Sequence, residues 1–158
     1  MSRTLSLQNR QRVRRVDTRL LRRITLHVLT EELGLDAFEL GIHLVNATEM
    51  ACVNSTYLQH EGSTDVITFD HSEPSPAAPL HGELYICLDD AVAQAREFRS
   101  TWTSELTRYV IHGILHLRGH DDLQAAARRE MKREENRLLR RVAKTFPVAR
   151  LELPRTSR

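Results

Sequence analysis

The run His112-Gly113-Ile114-Leu115-His116-Leu117-Arg118-Gly119-His120-Asp121-Asp122 places three imidazoles and two carboxylates within eleven residues. It ends an apolar stripe at helical spacing, Trp102, Leu106, Val110, Gly113 and Leu117, so His112 and His116 fall i,i+4, one turn apart on one face. Two imidazoles so placed are what a tetrahedral metal needs from two of its ligands. Gly119, three residues beyond His116, lets the chain leave the helix with positive φ and swing a later side chain back. Asp122 stands six residues after His116, the offset at which the HExxHxxGxxH pattern supplies its third ligand. His120 competes for that place, but reaches it only if the helix continues through Gly119. The residue after His112 is glycine, where a peptidase of that pattern carries the glutamate that serves as general base, which argues against a zinc protease.

Working outward, residues 4–8 alternate and read as a strand. From Arg12 a helical stripe runs through Val13, Val16, Leu20, Ile24 and Val28, closed by Gly34. Strands are expected over 38–45, 64–69 and 82–88, the second rich in β-branched residues. Helices are expected from Thr48 to Tyr57, from Leu88 to about Arg99, over 102–117 and from about Leu123 to Lys144. The segment 72–80 holds three of the five prolines, which makes it a loop. Phe146-Pro147 stops the last helix, and about 145–158 reads as a loose basic tail. The order β-α-β-α-β-β-α-α-α predicts one domain over 1–158 of the α/β (α+β) class. Its core would be a small mixed sheet of about four strands covered by about five helices, with the His-bearing helix ending in a glycine turn.

The length of 158 residues suffices for a core, and 41% hydrophobic with 28% charged residues excludes a disordered tail or a membrane protein. No apolar run approaches a membrane span, and the arginine-rich start lacks a signal peptide's apolar stretch. Cys52 and Cys87 form no CxxC pair and no disulfide framework. A soluble, cytoplasmic protein is the expectation.

The net charge of +2 hides an asymmetry. Residues 1–23 carry eight arginines against Asp17, residues 24–121 carry four basic and fifteen acidic groups, and residues 122–158 carry eleven basic against five acidic. Basic ends around an acidic middle suit a phosphate-rich partner touching the ends. A solvated helix face is the commoner meaning of such runs.

The His-Gly-Ile-Leu-His-Leu-Arg-Gly-His-Asp run resembles the HGxLHLxGYDH signature of the YbeY family, bacterial rRNA maturation factors described as metal-dependent single-strand endoribonucleases. Asn54-Ser-Thr-Tyr57 resembles that family's NxxYR, Thr64-Asp-Val-Ile-Thr-Phe69 its PTDVLSF, and Gly82-Glu-Leu-Tyr-Ile-Cys87 its GDIVIC. The matches keep the family's order over roughly residues 40–135. The resemblance implies a hydrolase that cuts single-stranded RNA of an rRNA precursor and meets ribosome or small-subunit assembly components. It also implies one Zn2+ per chain, with metal-bound water held by His112, His116 and Asp122. Asp121, Asp65, Tyr57 and His60 would lie in the second shell or the cleft, and Arg12, Arg14, Arg15 and Arg118 are candidates for RNA contact.

Two departures matter. The family's third histidine falls at Asp122, whose extra negative charge would weaken the Lewis acidity of the metal. Leu58 stands where the family has the arginine that faces the metal cleft, a task for which His60 or Arg118 would have to substitute. That loss favours the alternative of a non-catalytic ribosome-assembly or RNA-binding factor with a structural metal.

Overall fold

Alternating apolar residues form β1 (Arg3–Asn9), β2 (Phe38–Val45), β3 (Val66–Asp70) and β4 (Leu80–Cys87). A computed structural model, which describes residues 2–58 and 64–154, joins them in the order β1-β2-β4-β3. β1, β2 and β4 run parallel, and β3 closes one edge antiparallel to β4. The helices are α1 (Thr18–His27), α2 (Ala47–Leu58), α3 (Leu88–Glu97), α4 (Trp102–Leu117) and α5 (Ala125–Thr145). The fold is the mixed α+β architecture expected, with four strands and five α-helices among the described residues.

One face of the sheet carries the main core. Phe38, Leu40, Ile42 and Leu44 of β2 and Leu84 and Ile86 of β4 are buried there, with Leu21 and Ile24 of α1 and Leu106, Val110 and Ile114 of α4. Because successive side chains of a strand alternate, the other face presents Val45, Ile67 and Cys87, on which α2 lays Met50 and Val53. Two glycines let α4 lie close to the sheet. A Cβ on Gly113 would stand 2.7 Å from the Leu84 side chain, and one on Gly82 would stand 2.6 Å from the Phe69 carbonyl oxygen and 2.7 Å from Leu117. The pair of histidines is thus carried on a helix whose distance from the sheet is fixed.

Two expectations are corrected. The helix expected from Arg12 begins at Thr18, where the Asp17 side chain accepts from Leu20 N at 3.0 Å. Ahead of it, the buried Gln11 amide bonds Asn9 and the Arg14 backbone and ties residues 9–14 into a turn, so Val13 and Val16 reach the core from a loop. The tail expected to be loose is docked as far as it is described. Residues Val148–Leu151 form a 3-10 turn, Leu151 is fully buried, Val16 bridges Glu152, and Trp102 Nε1 donates to Glu152 at 3.2 Å. Leu151 and Val148 are apolar enough to fill the gap between α1 and the start of α4, and burying them outweighs the entropy of ordering the segment. Past α1 the helix continues in π form over Val28–Glu32, and Gly34 closes it at φ 64°.

Candidate metal centre

The turn after α4 ends it as a Schellman motif. Gly119, at φ 99°, sends its N–H to the His116 carbonyl at 3.0 Å, and His120 N–H reaches the Leu115 carbonyl at 3.0 Å. That reversal brings Asp122 back over the helix. The Nε2 atoms of His112 and His116 are 3.1 Å apart, and Asp122 Oδ2 stands 3.9 Å from the first and 3.6 Å from the second. These three residues are the group able to hold a metal ion among the described residues. Zinc bonds of about 2.0–2.2 Å put neighbouring tetrahedral donors about 3.3–3.6 Å apart, and the three observed gaps bracket that spacing. Two nitrogens, one carboxylate and an open side are a donor set that zinc accepts. His120 is not part of this group and lines a separate hollow with Arg118, Gly119, Asp121, Ala127 and Glu130.

A residue not anticipated from the sequence orients the pair. Glu135 of α5 is buried, and its Oε2 meets His112 Nδ1 at 2.8 Å. The hydrogen bond keeps the proton on Nδ1 and leaves Nε2 for the metal, the usual task of a carboxylate behind a ligand histidine. Arg108, one turn before His112, donates to Glu135 Oε1 at 2.7 Å and to Asn136 Oδ1 at 2.9 Å, and Lys132 Nζ lies 3.6 Å from the same carboxylate. Burial on its own would raise the pKa of Glu135, but the His112 and Arg108 hydrogen bonds more than offset it and hold the carboxyl below its ordinary value. Burial would likewise lower His112, yet Glu135, with the charges of Asp65 and Asp122, raises it above its ordinary value. The sequence did carry a signal for Glu135. Met131, Leu138 and Val142 form the apolar stripe of α5, and the position between them that should be apolar is a glutamate.

These groups line a cleft of about 530 Å³ with Asp65, Gln94, Tyr109, Arg128, Arg129 and Met131. Asp65 thus lines the cleft. Asp121 does not back a histidine; its Oδ1 accepts from Leu123 N at 2.6 Å and holds the turn before α5. Tyr57 is exposed and packs edge-on against Phe69 at 5.7 Å, on the sheet face opposite α4, so it is a neighbour of β3 and not of the histidines. Arg118 opens on the hollow of His120, away from the histidine pair, because it caps a helix that has already turned. Arg12, Arg14 and Arg15 line a separate cavity of about 470 Å³ with Trp102 and Glu152, at the far end of α4 from His116. His60 lies outside the described residues, and Leu58 ends α2.

A sequence profile of the family described as Endoribonuclease YbeY matches residues 6–143. The chain belongs to the YbeY endoribonuclease family. A Salinibacter ruber protein named Endoribonuclease YbeY is 34% identical over 144 residues, 87% of this chain and 91% of that one. A Chlorobium phaeovibrioides protein of the same name is 35% identical over 137 residues, covering 87% and 89%. A Thermotoga maritima protein solved in solution matches with a TM-score of 0.67 and 26% identity, over 92% of this chain and 95% of that one. Membership in the YbeY family makes the chain a hydrolytic endoribonuclease with RNA as substrate. No helix among the described residues is long and apolar enough to cross a membrane.

Proposed function

We propose that the chain cuts single-stranded RNA at one zinc ion held by His112, His116 and Asp122, and that it acts in the cytoplasm on rRNA precursors in contact with small-subunit assembly components. The observation that carries this reading is the three-donor cluster open to a cleft, with Glu135 fixing the tautomer of His112. A divalent metal bound there supplies Lewis acidity toward a phosphodiester oxygen and lowers the pKa of water. The chain's own residues do the rest. Glu135 and Arg108 lock the His112 ring from behind, so the donor set is formed before RNA arrives. Asp65 is the cleft carboxylate outside both the donor set and the Glu135 pair, and would take a proton from the attacking water. Asp122, in place of a third imidazole, lowers the net positive charge of the loaded site.

Elemental analysis of protein purified without chelator should give about one zinc per chain, and chelation should stop cleavage of a single-stranded RNA until zinc is returned. The H112A/H116A variant should lose metal and cleavage together while remaining folded by circular dichroism. Cleavage that persists without metal rules the reading out. Metal retained in a wild type that cuts no RNA hands the role to the assembly factor with a structural metal, which Leu58 favours.

A further inference from the structure

The cleft holds more positive charge than its own carboxylates engage. Arg108 is committed to Glu135 and Asn136. Arg128 gives only Nε, at 3.1 Å, to the main-chain carbonyl of Asp122, which sets its guanidinium beside the metal turn. Among the described residues its Nη groups make no hydrogen bond or ion pair, and the Arg129 side chain makes none at all. Both arginines are exposed in the first two turns of α5 and line the same cleft as His112 and Asp122.

Helix stability does not explain them. The start of α5 carries no acidic residue in its first turn, and cations at that end oppose the helix dipole. Arg128 with Lys132, and Arg129 with Arg133, are like charges at i,i+4, which weakens a helix. A position that costs the helix and faces an open cleft is suited to an anion that is absent until substrate binds. Arginine presents a planar fork that matches phosphate oxygens in pairs.

We propose that Arg128 and Arg129 bind the RNA phosphate next to the one being cut, taking over from α5 the task that the resemblance assigns to an arginine at position 58, which is Leu58 here. Position 58 ends α2, whereas the pair stands on α5, the helix that also supplies Glu135. One element then sets both the metal ligand and the phosphate. This inference rests on the reading of the cleft as an RNA site.

The test measures binding separately from cleavage. The zinc-loaded protein is titrated into a fluorescent oligouridylate of about twelve nucleotides with 2′-O-methyl sugars, shown uncut by gel, at several salt concentrations. R128Q/R129Q should bind about tenfold more weakly, and the slope of log affinity against log salt should fall by about one to two. Its unfolding temperature should change little, because loss of the Arg128 bond to the Asp122 carbonyl opposes the relief of unfavourable helix charges. R133Q/R140Q removes the same charge from α5 outside the cleft and should bind nearly as wild type. Unchanged binding in R128Q/R129Q, or equal loss in R133Q/R140Q, overturns the clamp. A wild type that binds through the arginine pair but cuts no RNA keeps the clamp and overturns the nuclease reading. One that cuts RNA while R128Q/R129Q binds equally well does the reverse, and a wild type that binds no RNA overturns both.

Discussion

Glu135 is a single side chain on which the centre depends, because it is buried and answers to His112, Arg108 and Lys132 at once. E135Q keeps the shape and removes the charge. Metal affinity, read by competition with a chromophoric chelator, should fall by about tenfold to a hundredfold, as for other groups behind a ligand histidine; an unchanged affinity would show that the Asp122 turn alone positions the imidazoles. The same pair gives the metal-free protein a pH dependence. His112 has its folded pKa raised above 6.5, so its share of stability is complete below that value and is lost as pH rises through the folded pKa. Glu135 has its folded pKa lowered below 4.5, so its share is present above that value and is lost as pH falls through the folded pKa. Chelated protein should therefore lose stability to urea as pH rises above 6.5, and E135Q should flatten that slope.

α4 carries the histidines and also packs against the sheet at Gly113 and, through Leu117, at Gly82. A methyl group at Gly113 would push the buried tip of Leu84, which costs about 1–3 kcal/mol when a packed core cannot yield. The substitution also removes a glycine from a helix interior, a gain of about 1 kcal/mol, so Gly113→Ala should come out near neutral to about 2 kcal/mol destabilising. Gly82→Ala has a similar relief, about 0.5–1 kcal/mol inside a strand, but a harder clash to offset. Its methyl group would meet the Phe69 carbonyl at the β3–β4 ladder as well as Leu117, and backbone cannot rotate aside as a leucine tip can. Urea unfolding should rank Gly82→Ala as the more damaging. The reverse order would mean that β3 moves more readily than Leu84 repacks.

For the molecule as a whole, the chain's late segment closes the start of its fold. Leu151 is fully buried, Asp17 N donates to its carbonyl at 2.8 Å, and Leu153 N donates to Arg15 at 3.0 Å, so the tail holds the entry to α1 and covers Trp102. Leu151→Ala should cost about 2–5 kcal/mol in equilibrium unfolding, the range for a buried leucine. A cost under about 0.5 kcal/mol, typical of an exposed site, would return the segment to a loose tail. The docking also gathers Arg12, Arg14 and Arg15 around the N-terminal end of α4, while Arg128 and Arg129 stand at its histidine-bearing end. The basic ends of the sequence thus become two separate basic sites on one helix.

Local rules were enough for much of this protein. Alternation and helical spacing mark the strands and the α4 stripe, and Gly119 after His116 encodes the turn that returns Asp122, because these signals depend on residues within a few positions of one another. Resemblance in the order of motifs fixed the family. Contacts between residues distant in sequence were decided by the tertiary structure. Glu135 and His112 are 23 residues apart, and a carboxylate within an apolar stripe acquires its purpose only when α5 packs on α4. Val16 and Leu151 follow the same logic. The stripe from Arg12 looked helical because its spacing was right, but Asp17 capped the helix later and a segment from the far end of the chain supplied the partner that the loop required. Spacing fixes which face a residue can occupy. Which other surface meets that face is set by the burial of the whole chain.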